Sequence, residues 1–594
     1  MTSPYTAPIT DLRFVLHEVF NVHEQLAPLG FDHATAEIID AVLEEAGRFA
    51  SGVLAPLNAV GDQQGCTLDT ARAEVSTADG FKTAYTQFVA AGWPGLTAAP
   101  EYDGQGLSQT LGMVINEMLA AANLAWSLFP MLSHGASEVL AYYGAPWQRE
   151  VFLKPLIQGQ WSGTMCLTEA QAGTDLGLLR TRAVPADDGT YRISGNKIFI
   201  TAGEHDLSEN IIHLVLARLP DAPPGARGIS LFIVPKFQVS QDGQVGARNA
   251  VYCTALEHKM GIHGSPTCSL AFEEAQGYLL GPPHKGLQAM FMMMNSARLG
   301  VGVQGLALAE RAWQGALVYS RERLQSRAPG AAMYPDKAAD PIIVQPDVRR
   351  MLRTIQALTE GGRVLTVQAY LQLDTAHSAA DPQRRADAET LVSFLTPIVK
   401  ACLSEWSVEC TYHALQCLGG HGYIVEQGME QLARDARITT IYEGTTGIQA
   451  LDLVGRKTAA TQAAGLKLLI AEIEIFIAEN ANNPSVSEFL PALTAKIKEW
   501  HQLTGNLLQR AATDPNELGA ASHDYLFYSG YVALAYAWAR IVAAAAASSS
   551  QSAEFKQDKY ATARFYYARI LPRTLTHAAS LESGAETLKA YKID

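Results

Sequence analysis

The texture of the sequence changes near Trp161, and this change limits the possible folds more than any other feature of the chain. Upstream, Ile39, Val42, Leu43, Ala46, Ala50, Val53 and Leu54 recur at helical spacing, which predicts an amphipathic helix over 33–54 with Asp32 as its N-cap. A second apolar run covers 111–132. After Trp161 the helical period gives way to short runs of β-formers separated by turn residues, at 191–200, 211–217 and 229–234. Helical texture resumes at Gly286, with segments near 288–325, 347–374, 386–418 and 428–438 and loops at 326–341 and 375–385. Four such helices predict a bundle. A last helical region, punctuated by polar loops at 479–484 and 548–550, runs to the end. The expected architecture is mainly α with a central β-domain: an extension over 1–34, a helical domain over 35–161, a β-domain over 162–276, a bundle over 277–457 and an additional helical domain over 458–594.

Composition narrows the function classes. A chain of 594 residues exceeds one core, and 48% apolar with 18% charged residues describes a globular protein. A net charge of -14 without any basic block argues against nucleic acid. Seven scattered cysteines without metal-ligand spacing predict reduced thiols, no metal site and a cytoplasmic setting. The N-terminal residues lack the charged and apolar regions of a signal peptide. The run 525–547 is mostly apolar, but Ser529, Gly530 and Arg540 interrupt it, so it is expected to be a buried helix rather than a membrane span.

The candidate chemistry centres on Arg434-Asp435-Ala436-Arg437-Ile438-Thr439-Thr440-Ile441-Tyr442-Glu443-Gly444-Thr445-Thr446. Here Glu443 stands among hydroxyls, apolar residues and a glycine. In a closed cleft, desolvation would raise such a carboxylate toward neutrality and suit it to act as a general base. The plainer alternative is a helix end at Gly444 with Glu443 facing water.

Three further segments accompany it in order: Cys166-Leu167-Thr168-Glu169-Ala170-Gln171-Ala172-Gly173-Thr174-Asp175, Asn196-Lys197-Ile198-Phe199-Ile200-Thr201 and Gln416-Cys417-Leu418-Gly419-Gly420-His421-Gly422. Together with Glu443, they make residues 35–455 resemble the acyl-CoA dehydrogenase family. The extension near residues 5–26 and the tail after about 460 resemble its longer bacterial subfamily, which includes the 3-methylmercaptopropionyl-CoA dehydrogenases.

The resemblance implies FAD as cofactor, with Met165, Thr168, Gly173 and Thr174 along the flavin and its phosphates and Phe199, Ile200 and Thr201 against the ring. Arg323 would reach the flavin pyrophosphate of a neighbouring subunit, with Gln416, Gly419 and Gly420 completing that half-site and Thr445 beside the flavin. A homodimer follows from this sharing. Ser326 and Arg327 depart from the family's usual Phe and Gly at this point. Thr174, Asn295, Arg298 and Gly444 would serve the substrate, with Asn295 standing where the family carries Asp. His263 is expected to be structural.

The implied reaction is α,β-dehydrogenation of an acyl-CoA to a trans-2-enoyl-CoA. Glu443 would take the α-proton, and the flavin would accept hydride from Cβ. The base's own amide and a ribityl hydroxyl would steady the thioester oxygen, and electrons would pass to an electron-transfer flavoprotein. If Met113, Leu119, Trp126, Leu128, Phe129 and Met131 line the acyl tunnel, the substrate is short to medium in length, 3-methylthiopropionyl-CoA included. An acyl-CoA oxidase and a catalytically silent helical scaffold are the rival readings, separable by peroxide formation and by colour. A nitroalkane oxidase fits less well, because its base resembles Asp.

Overall fold

The computed structural model describes residues 4–590, and the chain divides into two compact units. One unit comprises Arg48–Leu107 and Ala122–Gly300. The other takes in the chain up to Gly47, Ser108–Ala121 and everything from Val301 onward.

The first unit is built around a sheet of seven strands: β1 (Trp161–Cys166), β2 (Arg182–Pro185), β3 (Tyr191–Thr201), β4 (Asn210–Arg218), β5 (Ile229–Pro235), β6 (Val251–Leu256) and β7 (Thr267–Leu280). The path runs β6-β7-β3-β2-β4-β1, and β5 pairs with both β7 and β4. Strands β2, β3, β7, β5 and β4 thus close a ring, the barrel-like form that removes free sheet edges. Its interior is filled by side chains such as Ile193, Val215, Phe232, Val234 and Phe272. A helical layer in the same unit has its own aromatic core, where Trp126 meets Phe88 edge-on at 5.3 Å and donates its indole N–H to the Phe81 carbonyl at 3.2 Å.

The second unit is almost wholly helical. Helices Gly286–Glu322, of which only the part from Val301 belongs to this unit, Pro346–Ser378 and Pro382–Leu418 form the long elements expected of a bundle, but the fourth segment is a helix of only 11 residues, Met429–Thr439. The tail instead supplies a 32-residue helix, Asn516–Ala547, that lies directly on the bundle. Its Trp538 donates to the Ala357 carbonyl at 2.9 Å. A side chain on Gly361 would meet that indole at 2.8 Å, so the glycine permits the close approach. The tail helix therefore lies in the core of its own unit. Among the described residues, two helical stretches, Pro382–Tyr423 and Asn516–Ala547, are long and apolar enough to cross a membrane, but protein covers 83% and 72% of their most apolar windows.

Several local expectations need correcting. Thr35, not Asp32, caps the first amphipathic helix, accepting from the Ile38 N–H at 3.4 Å, and the helix starts at Ala36. The run 111–132 is two helices, because Asn123 is extended and caps the second by accepting from the Trp126 N–H at 3.0 Å. Trp126 packs among Phe49, Tyr85 and Phe88, and Phe129 lies edge-on to His205 at 5.1 Å.

Candidate active site

In the β unit, the flavin candidates gather where β1 runs into the loop ending at Asp175 and where β3 ends. Opposite Ser269 of β7, β3 carries an extra residue, with Lys197 paired to Leu270 and Ile200 to Cys268. Phe199 sits in this bulge with φ +58° and is 58% exposed. A bulge re-aims a side chain, and here it turns an aromatic ring out of the barrel while Ile200 stays in the core. Ile200 can therefore offer only its backbone to a ligand.

The two motifs are tied together from beneath. The Ile198 N–H donates to the Thr168 carbonyl at 2.9 Å. Lys197, 0% exposed, donates to the Leu167 carbonyl and to Glu169 Oε1, both at 2.9 Å. Burial opposes ionisation of Glu169, but the charge of Lys197 and hydrogen bonds from Thr181 and Arg180 outweigh it and pull the carboxyl down to about 2. Glu169 is thus a fixed anion that pins the loop carrying Gly173 and Thr174, both exposed.

A Cβ placed on Gly173 would meet nothing within 4 Å. Open backbone at Gly173, hydroxyls at Thr168, Thr174 and Thr201, the half-buried Met165 and the outward Phe199 make a donor set and an apolar face suited to a flavin. The residues present fit FAD. In the same unit, Arg298 is 5% exposed and donates to Asn295 Oδ1 at 3.3 Å, so the neutral amide keeps the hydrogen bond that an aspartate would make. The ring nitrogens of His263 face the Asp62 and Lys259 carbonyl oxygens, a structural place.

In the helical unit, Glu443 follows the C-terminus of Met429–Thr439. Glu443 has φ +57° and Gly444 φ +93°, two consecutive left-handed residues. A Cβ on Gly444 would approach Gln449 Nε2 to 2.7 Å, which fixes glycine there. Gln449 Nε2 donates to the Glu443 carbonyl at 3.1 Å, and Lys400 Nζ donates to the Gly444 and Thr439 carbonyls at 2.8 Å each. Thr445 caps the next helix by accepting from the Ile448 N–H at 3.4 Å. The Tyr442 hydroxyl, raised by burial with Glu443 adding to the shift, donates to Gln304. Glu443 itself is half-buried.

The remaining candidates, Arg323, Gln416, Gly419 and Gly420, are all exposed, and neither glycine would meet an atom within 4 Å on gaining a Cβ. The Tyr319 hydroxyl and His421 Nδ1 lie 2.7 Å apart, which joins the Arg323 end of one long helix to the Gly419–Gly420 turn after another.

Matches to family models cover nearly the whole chain: the acyl-CoA dehydrogenase N-terminal domain over 39–160, the middle domain over 164–275, the C-terminal domain over 284–458 and an acetyl-CoA dehydrogenase C-terminal-like segment over 469–592. The chain belongs to the acyl-CoA dehydrogenase family. It is 42% identical to the 3-methylmercaptopropionyl-CoA dehydrogenase of Ruegeria pomeroyi, covering 99% of each chain. It is 35% identical to a butyryl-CoA dehydrogenase of Syntrophomonas wolfei, covering 99% of this chain and 97% of that one. The crystal structure of an acyl-CoA dehydrogenase from Bacillus anthracis complexed with FAD shares the fold, with a TM-score of 0.74 at 20% identity over 94% of this chain and 89% of that one. This acyl-CoA dehydrogenase is thus an FAD flavoprotein and an oxidoreductase acting on acyl-CoA thioesters.

Lys197, Glu169, Lys400, Gln449 and the Tyr319–His421 pair carry no role in the sequence reading. A lysine alone in an apolar run, as in Ile398-Val399-Lys400-Ala401-Cys402, is the one signal that could have marked such a residue, because a charge there must find partners inside the protein.

Proposed function

We propose that Glu443 is the base that removes the α-proton of a bound acyl-CoA thioester, giving a trans-2-enoyl-CoA. The carrying observation is the left-handed Glu443–Gly444 pair, a backbone conformation that a glutamate adopts only when its surroundings hold it there. Bound FAD supplies the acceptor for the hydride that leaves Cβ. The chain's own contribution is to hold the carboxylate at Cα and to offer the Glu443 N–H to the thioester oxygen, where negative charge develops as the proton leaves. Arg298, braced by Asn295, supports the thioester end, with Thr174 and Gly444 as further substrate contacts.

Met165, Thr168, Gly173, Thr174, Phe199, Ile200, Thr201 and Thr445 would hold the flavin. Arg323, Gln416, Gly419 and Gly420 would bind the pyrophosphate of a second copy's flavin, making the enzyme a homodimer. The exposure of these four residues and the Tyr319–His421 bond support this role. The substrates proposed are short- to medium-chain linear acyl-CoAs, 3-methylthiopropionyl-CoA among them, as the names of the two relatives suggest. An electron-transfer flavoprotein is the proposed electron acceptor, and the setting is cytoplasmic fatty-acid β-oxidation, with both long apolar helices serving as core. The boundaries proposed for the domains are 35–161, 162–276, 277–457 and 458–594.

The test is anaerobic mixing of the yellow protein with a series from butanoyl- to palmitoyl-CoA. Bleaching of the flavin with formation of trans-2-enoyl-CoA, and kcat/KM highest at the short end, is expected. Absence of bleaching with every thioester refutes the reaction, and a maximum at the long end refutes the assigned chain length.

A further inference from the structure

We infer that Lys400 is a positioning residue for the dehydrogenation, holding the base-bearing turn in its reactive conformation. This inference rests on the reading of Glu443 as the base. Lys400 lies on the helix Pro382–Leu418 and is 0% exposed. An ammonium group buried this fully is costly unless hydrogen bonds replace its water. Two of its partners are the carbonyls of Thr439 and Gly444, each at 2.8 Å. Thr439 ends the helix that leads to the base, where the last carbonyls lack intrahelical donors and a cation is favoured. Gly444 directly follows the base. One side chain therefore fastens the loop on both sides of Glu443.

The carbonyls on either side of Gly444 are held by different donors. Gln449, 0% exposed, takes the Glu443 carbonyl at 3.1 Å, and Lys400 takes that of Gly444. These bonds fix the two peptide planes that follow the Glu443 Cα, and the Lys400 bond to Thr439 anchors the chain leading into it, so the backbone from which the Glu443 side chain and N–H project is restrained on both sides. A turn with φ of +57° and +93° is locally unfavourable at the glutamate, so without these donors the backbone would relax toward the ordinary helical region and swing the carboxylate away. Thr446 reinforces the loop by donating its N–H to the Thr440 carbonyl at 3.1 Å and its hydroxyl to Glu405. Lys400 differs in fastening both sides of the base from a side chain outside the loop.

The test compares Lys400→Met, Gln449→Leu and Glu443→Gln holoenzymes with the parent. Lys400→Met should keep parental FAD content and a KM for butanoyl-CoA within about twofold, while flavin reduction slows at least about tenfold, equivalent to about 1.4 kcal/mol. The kinetic isotope effect with α-deuterated substrate should rise, and amide hydrogen exchange should quicken over 440–449 but not elsewhere. Gln449→Leu, which removes a neutral donor, should give the same signature and carries the test if Lys400→Met does not accumulate. If the variants reduce flavin at the parental rate while Glu443→Gln is inactive, the positioning role is overturned and the base assignment stands. Slowing matched by loss of FAD or by exchange across the whole protein also overturns it, in favour of general instability. Parental reduction by Glu443→Gln overturns the base assignment itself.

Discussion

Arg363 lies in a buried cluster of charges in the helical unit, and replacing it with methionine should expose what that arrangement costs. Arg363 is 0% exposed. Its Nε and Nη2 donate to Glu117 Oε1 at 2.9 and 2.6 Å, its Nη2 reaches Glu310 at 2.8 Å, and its Nη1 pairs with Asp11. Lys559, from the tail, pairs with the same Asp11 and with Glu360 at 3.0 Å. Two cations thus serve four carboxylates drawn from the N-terminal segment, two bundle helices and the helix holding Glu117. Burial raises the Glu117 carboxyl and Arg363 opposes the rise; burial likewise lifts Glu360 to about 7 against the pull of Lys559.

Arg363→Met keeps the apolar bulk but strands Glu117 and takes the cation from Glu310, while Asp11 keeps Lys559. Breaking a buried ion pair by removing one partner costs about 3–5 kcal/mol, and with two carboxylates, Glu117 and Glu310, losing their cation the variant falls in that range. The pH dependence has a definite sign. A carboxyl whose folded pKa lies above its unfolded value carries no penalty below the unfolded value. Stability is then lost as pH rises between the two, by about 1.4 kcal/mol per pH unit. The variant's deficit in urea unfolding, followed by circular dichroism, should therefore be clearly larger at about pH 8 than at about pH 5.5. Adding Glu117→Gln should recover part of it. A midpoint equal to the parent's, or a deficit independent of pH, would refute the idea that the cluster is held together by charge balance.

Two further outcomes are expected. Arg323→Ala should elute with less than one FAD per chain and with weakened self-association, measured by flavin absorbance and sedimentation; a monomer retaining full FAD would contradict a shared flavin site. Removing residues 460–594 should cause aggregation, because it strips Trp538 and the rest of the 32-residue tail helix from the bundle; light scattering checks this, and a well-behaved truncated enzyme with unchanged kinetics would show the tail to be an appendage.

Much of the fold was legible because its signals are local. The switch near Trp161 from helical spacing to short runs of β-formers separated by turn residues locates the sheet, and the long helices fall within a few residues of their predicted spans, as with 386–418 against Pro382–Leu418. What was missed depends on tertiary partners. Asn123 breaks an apolar run that reads as one helix, because its side chain can cap the helix that follows. Periodicity does not fix the rotation of a helix within the fold, so the aromatic partners of Trp126 and Phe129 could not be read from it. The motifs marked Phe199, Glu443 and Gly444. The bulge that turns Phe199 outward, and the fastening by Lys197 and Lys400, distant in sequence from the loops they hold, arise only in the folded chain.

The central claim is that Glu443 takes the α-proton. Its most direct test is single-turnover reduction of the Glu443→Gln holoenzyme by butanoyl-CoA, followed anaerobically by flavin absorbance. The amide preserves the shape of the side chain but cannot accept the proton, so the variant should keep FAD and bind the thioester, yet reduce its flavin at least about a thousandfold more slowly, in keeping with the 10²–10⁴-fold contribution of a positioned base. Bleaching at the parental rate would contradict the assignment of Glu443 as the base.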